Sequence, residues 1–382
     1  MSSGRSLITM GAFAMAGNTP LVVQPMIVGA MVDVVGLTER QAGILASVEL
    51  GGLTFGILGL IRVATYVARP MLAVFAVGTI VVANLMTCFV SSFELLLPLR
   101  ALSGVGAAAA LCVYLSMATA DARPEHVFAV VNAVAIAYSG ALTLVAPFIL
   151  QAGGLAAMLC TLSLITVLAL VTAPWARSSD EALTRGSPAL VVRLVPAQVL
   201  PLLAMMLLLY TGHGAIWAFQ ERIGVAAGLS EHAVGKWIGL SMLVWGVCGS
   251  LLARLLSLSI GRIWPQTLSL GASCLAVLLL VFGSTPFTFA ASCGLIAFSW
   301  FYGLPYQMGL LAARDPKGRA ALAGVMMSTG GMTIGPAVAA MLIAGSAHWP
   351  IGVFAGGCYL AALAIAVPSA RGVTLSAVRP TV

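Results

Sequence analysis

The chain has 382 residues, 61% of them apolar and 8% charged, with a formal net charge of +7. Soluble domains run at about 45–50% apolar and about 25% charged residues, so a water-soluble fold is excluded. The apolar runs are continuous and near the roughly 20 residues of a membrane helix, which excludes a β-barrel of short alternating strands. The basic excess gathers on no soluble face, which excludes a nucleic-acid binder.

In chain order the runs predict twelve spans. The first six lie at 7–32, 38–61, 70–91, 94–119, 127–150 and 155–175. The other six lie at 197–220, 231–256, 265–283, 287–312, 319–345 and 349–368. The first follows a short basic lead at Arg5 and contains Asn18, Pro20, Gln24 and Pro25, so it reads as a retained span and not a cleaved signal. The longest hydrophilic break runs from Ala176 to Arg193. The chain thus divides into a six-helix bundle over 1–175, a cytoplasmic linker over 176–195 and a second bundle over 196–382.

A repeated phrase supports that division. Gly-Leu-Thr-Glu-Arg-Gln-Ala-Gly starts at Gly36, and Gly-Leu-Ser-Glu-His-Ala-Val-Gly starts at Gly228, 192 positions later. Each copy leads into a long span, as expected of two homologous halves around a central site. Thr38 and Ser230 stand where helix N-caps belong.

With both termini cytoplasmic, fourteen of the eighteen basic residues fall inside, and only Arg40, Arg222 and Lys236 fall outside. Arg100 falls within a span. This bias fixes the expected orientation, in the inner membrane of a bacterial cell. The seven cysteines sit in the spans without a CxxC pair, so buried thiols are expected, and no metal cluster or cofactor.

Twelve spans, a six-plus-six repeat and a central linker together resemble the major facilitator superfamily. Arg100-Ala-Leu-Ser-Gly104-Val-Gly106-Ala-Ala is similar to its fourth-helix RxxxGxGAA pattern. Ala146-Pro147, and more clearly Gly331-Met-Thr-Ile-Gly335-Pro336, resemble the glycine-proline pattern of proton-coupled exporters. The loop from Gly59 to Pro70 lacks the aspartate usual after the second helix, and Leu258 stands where its later echo would carry an acid. The resemblance implies an all-α membrane protein of two pseudo-symmetric six-helix bundles. It also implies a cavity lined by the first, fourth, seventh and tenth helices, and gating flexibility at Pro147, Gly335 and Pro336.

Those four spans also carry the polar and aromatic residues. The seventh has Tyr210, His213, Trp217 and Gln220 on one stripe. The fourth aligns Arg100 and Ser103 with Tyr114. The tenth carries Ser299, Tyr302 and Tyr306 beside Trp300 and Gln307, with Gly303 and Pro305 as an expected helix break. The first adds Asn18 and Gln24. Competing readings stand beside these: Trp217 and Trp300 as interfacial anchors, Asn18 and Gln24 as interhelix hydrogen-bonders, Arg100 as a snorkelling cation. Asp33, Glu39, Glu221 and Glu231, at helix ends, read as solvated or N-capping.

Glu49 falls near mid-membrane, about 16 Å into the second span at 1.5 Å per residue. A lone charge there costs roughly 2.5–3.5 kcal/mol, so the acid is either paired or protonated. Two roles are open: a proton carrier coupled to Arg100 or His213, or a static hydrogen-bonded acid.

The reading is a secondary active transporter, functional as a monomer. It moves a small organic solute by alternating access, proton-coupled, with export slightly favoured. Uptake of a small organic anion by proton symport is the alternative. A transition-metal carrier is a third reading, although Met10/Met15, Met26/Met31 and Met327/Met332 are five apart and fall on different helix faces. No Walker sequence and no nucleophile elbow is present, so neither ATP-driven transport nor catalysis is expected.

Overall fold

The computed structural model describes residues 4–63, 66–118, 121, 124–177, 196–256, 263–283, 285–315, 319–343 and 347–371. Of the expected linker 176–195, only Ala176 and Arg177 fall among them; they end a short turn, Ala173–Arg177.

The first span is two helices, Gly4–Val22 and Gln24–Asp33, meeting at 46°. The next three are Glu39–Val63, Arg69–Thr87 and Phe93–Ala118. The fifth and sixth follow each other within Pro124–Thr172. The seventh is Leu200–Ala226, and the eighth runs from Glu231 to Leu256 with one wider π turn at Met242–Gly246. The last four are Ile263–Phe282, Pro286–Arg314, Arg319–Leu342 and Trp349–Arg371.

Among the described residues ten helices are long and apolar enough to cross a membrane, and the bent first pair makes eleven. One of the ten, Val130–Trp175, has 46 residues. As a single helix it would measure about 69 Å, over twice the hydrocarbon thickness. It divides at Gly153–Gly154, where Gly154 has φ +62° and ψ −156°, a conformation that a side chain forbids. Counted as two, it completes the twelve spans and the two six-helix bundles.

The repeated phrase is a turn between consecutive helices. Gly36 and Gly228 adopt φ +80° and +85°, ending the first and seventh spans in the left-handed form glycine favours. The hydroxyls of Thr38 and Ser230 then accept from Gln41 N at 3.2 Å and Ala233 N at 3.3 Å, capping the second and eighth spans. These turns mark one face of the molecule, called here the turn face. Gly4, Arg177 and Pro196 lie on the opposite, terminal face.

Large apolar side chains point outward around the molecule, among them Phe55, Phe89, Phe148, Leu255 and Phe282. Exposed apolar surface on this scale fits acyl chains and not water; the protein is a multi-pass membrane protein. Across the two bundles, span 1 pairs with 7, 2 with 11, and 5 with 8. Spans 7 and 11 approach until Gly331 and Gly335 touch the backbone of Leu207–Ala215. The helices run unbroken through Pro147, Gly303, Pro305 and Pro336, so the break expected at Gly303 and Pro305 does not form.

Candidate functional site

Spans 2 and 4 cross where Gly104 meets the Glu49 carbonyl and Gly52 meets the Ala101 carbonyl, with no room for a β-carbon at either. This approach brings two charged side chains together. Arg100 Nη1 donates to Glu49 Oε1 at 3.2 Å, and the Ser103 hydroxyl donates to the same oxygen at 2.7 Å. Arg100 Nη2 donates to Thr87 Oγ1 at 2.6 Å, Asn84 Oδ1 at 3.2 Å and the Ala83 carbonyl at 3.3 Å. Arg100 and Glu49 are 1% and 4% exposed. Pairing makes a mid-membrane charge tolerable. It also commits Arg100 to the packing of spans 2, 3 and 4, inside the first bundle.

A second buried centre lies in the other bundle. His213 is fully buried, and its Nδ1 lies 3.0 Å from the Leu209 carbonyl one turn back. Three rings surround it: Tyr359 at 5.2 Å, Trp300 at 5.7 Å and Tyr210 at 5.8 Å between centroids.

Between the bundles lies a cavity of ≈ 90 Å³. Span 1 contributes Leu21, span 2 Leu50, Leu53 and Thr54, and span 7 Tyr210. Span 10 contributes Trp300 and Leu304, and span 11 Ser328, Thr329 and Met332. Of the residues expected to bind solute, Tyr210 and Trp300 line this space, and His213 stands one side chain behind them. The contribution of spans 2 and 11 was missed from sequence. Leu50 and Leu53 carry no signal that separates a cavity wall from a lipid face, but the hydroxyl run Ser328-Thr329 in an otherwise greasy span was visible.

The other candidates lie elsewhere. Asn18 Nδ2 donates to the Ala14 carbonyl of its own helix at 2.8 Å. Gln24 Nε2 donates to the Ala46 carbonyl at 3.3 Å, tying spans 1 and 2. Tyr114 packs edge-on against Phe128. Gln220 Nε2 contacts Cys293 Sγ at 3.0 Å. Tyr302 and Tyr306 turn toward span 8, where the Tyr306 hydroxyl donates to the Ala253 carbonyl at 3.2 Å. Gln307 is buried beside Gly303.

Polar contacts between the bundles gather from the cavity to the turn face. Pro25 has no N–H to offer the carbonyl four residues back, so Leu21 O is left free within its helix. Trp217 Nε1, from the other bundle, donates to it at 2.8 Å. Ser47 Oγ donates to the Thr333 carbonyl at 2.7 Å, and the Thr54 and Thr333 hydroxyls meet at 3.1 Å. Nearer the turn face, Arg222 binds both oxygens of Asp33 and both of Glu221, with Nη1 2.9 Å from Asp33 Oδ1 and Nε 2.6 Å from Glu221 Oε2. His348 Nε2 lies 2.8 Å from Glu39 Oε2.

Asp33 and Glu221 were expected to be solvated. Asp33 is half-exposed but ion-paired, and Glu221 is only 3% exposed. The bent half of span 1 lays Gly29 against the Glu221 carboxylate, where a β-carbon would exclude it. A recess of ≈ 510 Å³ lined by Asp33, Glu221, Glu231 and His232 opens beside this latch.

Among the described residues no group of three or more His, Cys, Asp or Glu side chains lies close enough to hold a metal ion.

No protein-family model and no curated protein matches the chain. Solved structures do match over nearly its whole length. The nucleoside transporter NupG superposes with TM-score 0.76 at 14% identity, over 96% of this chain and 98% of that one. A D-xylose-proton symporter gives 0.72 at 15% identity, over 97% and 99%. A bacterial homolog of the human lysosomal transporter Spinster, inward-facing and unoccupied, gives 0.70 at 11%, over 97% and 98%. The chain therefore has the fold these transporters share, the major facilitator fold.

Proposed function

We propose that the chain is a secondary transporter, not an enzyme, that carries a small organic solute across the bacterial inner membrane by alternating access, with protons as the coupling ion. The observation that carries this reading is the cavity between two bundles whose polar contacts gather on one side of it. Rocking about the cavity exchanges the contacts that close the turn face for contacts on the terminal face. With the termini inside, as the basic residues favour, the turn face is the outer one, and the latches of Arg222, Trp217 and His348 close it. The likeness to a nucleoside transporter and to a xylose-proton symporter supports transport of a small solute. A single chain holds both bundles, so a monomer suffices.

Glu49 is the proton carrier in this reading. Protonation removes its charge, and Arg100 keeps Thr87, Asn84 and the Ala83 carbonyl as acceptors, so the pair has two discrete states. Because the pair sits in the contact of span 2, which also lines the cavity, its state bears on the cavity wall. Export is favoured by the Gly331–Pro336 pattern. Uptake by symport is the second reading, favoured by the likeness to the xylose-proton symporter.

Proteoliposomes with an imposed pH gradient test both parts. Glu49→Gln is expected to abolish gradient-driven accumulation while sparing solute exchange. Unchanged uphill transport in that variant rejects the coupling role, and absence of any flux in wild type rejects the transporter reading. The sign of the gradient that drives accumulation separates export from uptake.

A further inference from the structure

The cage around His213 holds three polar atoms with no hydrogen-bond partner: His213 Nε2, Tyr210 Oη and Tyr359 Oη. All three side chains are at most 2% exposed. Buried polar atoms normally find partners, so three on adjoining rings mark a place where a polar ligand group can be recognised. Its polarity follows from the backbone. A carbonyl oxygen can only accept, so the Leu209 carbonyl fixes the imidazole proton on Nδ1. Nε2 is left as a lone pair, and a group that meets it must donate.

The cage adjoins the cavity. Tyr210 and Trp300 line the cavity, and both rings also contact His213. Tyr210 and Trp300 meet each other nearly perpendicular, at 81° and 5.9 Å, so the cavity wall presents aromatic faces and edges to a solute ring. At ≈ 90 Å³ the cavity is smaller than the roughly 150 Å³ that holds a benzene ring in an engineered protein core. A ring therefore enters only as the lining yields, and Tyr210, which lines the cavity and contacts His213, is the side chain that separates the two. The cavity lining contains no carboxylate, and the buried acid next to Leu50 in span 2, Glu49, is engaged by Arg100. A cationic group would find no countercharge here.

We infer that Tyr210, His213 and Tyr359 form a recognition subsite for an uncharged O–H or N–H donor carried on an aromatic ring of the solute. The subsite rests on the central cavity being the transport site. It narrows the cargo to neutral phenol-like or N–H heteroaromatic compounds, with Trp300 against the ring and His213 Nε2 accepting the donor hydrogen.

Isothermal titration calorimetry on the full chain in lipid nanodiscs tests this, with empty nanodiscs subtracted. Phenol and anisole share the ring and differ in one donor. Phenol is expected to bind about tenfold more tightly, the effect of one buried hydrogen bond gained. His213→Phe is expected to bring the two affinities together, and Tyr359→Phe to shrink the difference. Equal affinities in wild type, binding of neither compound, a preference that survives His213→Phe, or tighter binding of benzylammonium than of phenol each overturns the inference. If His213→Phe does not fold, the wild-type comparison and Tyr359→Phe decide it. These readouts concern binding alone. A failed phenol preference with solute flux intact removes the subsite, whereas an intact preference without flux removes the transport reading.

Discussion

Gly104→Ala probes the contact that assembles the buried ion pair. An added β-carbon would run into the Glu49 carbonyl oxygen and stand 2.7 Å from Leu53 N, where ordinary contact begins at 3.4 Å. These are backbone atoms in a helix, so neither can swing away. Spans 2 and 4 must part by at least about 0.7 Å, and overpacking of this kind costs about 1–3 kcal/mol. The same movement stretches the 3.2 Å contact of Arg100 with Glu49 beyond hydrogen-bond length. Full loss of a buried pair costs about 3–5 kcal/mol, and partial loss a fraction of that. Alanine returns up to about 1 kcal/mol of helix propensity. The balance is a destabilisation of about 2–4 kcal/mol. Thermal unfolding in detergent, followed by tryptophan fluorescence, reads it, with Gly78→Ala as control because nothing lies within 4 Å of a β-carbon there. Gly104→Ala is expected to melt well below wild type and Gly78→Ala at or above it. Equal melting of the two variants would refute the close approach of spans 2 and 4, and with it the pairing of Glu49.

The turn-face latch supplies further expectations. Arg222→Met strands Glu221, which is 3% exposed, and should cost about 3–5 kcal/mol. Asp33→Asn removes only the half-exposed partner and should cost about 1 kcal/mol or less, so the two melting temperatures must fall in that order. Trp217→Phe keeps an aromatic ring, though a smaller one, and orphans the Leu21 carbonyl, at about 1–3 kcal/mol against the closed turn face. A cysteine at Leu50, on the cavity wall, should then react faster with an impermeant maleimide from that face. His348 Nε2 meets Glu39 Oε2 at 2.8 Å across the two bundles, so removing the carboxylate should loosen closure on that face. Glu39→Gln should speed labelling of the Leu50→Cys variant from that face, and labelling unchanged by Glu39→Gln would remove His348 from the gate.

Span number and order were legible in the sequence because membrane helices need long apolar runs whatever they pack against. The turn at Gly153–Gly154 was visible as the gap between spans 5 and 6, and the caps at Thr38 and Ser230 as local chemistry. Glu49 announced itself because a mid-membrane acid demands a partner. That the partner is Arg100 depends on Gly52 and Gly104 letting two helices touch, which is a property of two spans together. The same limit hid the wall of the cavity: Leu50, Leu53 and Met332 look alike whether they face lipid, core or solute. Glu221 was misread because its place at a helix end suggested water. Its burial is decided by the bend at Pro20–Pro25, which swings Gly29 and Asp33 across to it.

The most direct test of the account is the distance between the bundles on both faces at once. Spin labels at Arg40 and Ala227 report the turn face, and labels at Tyr66 and Ala313 the terminal face, all four positions being exposed, in a chain without native cysteines. Double electron–electron resonance should show the turn-face pair short and the terminal pair long at rest. Solute and a change of pH should then lengthen the first and shorten the second together. Distances that stay fixed, or that lengthen on both faces at once, would contradict two bundles rocking about a shared cavity.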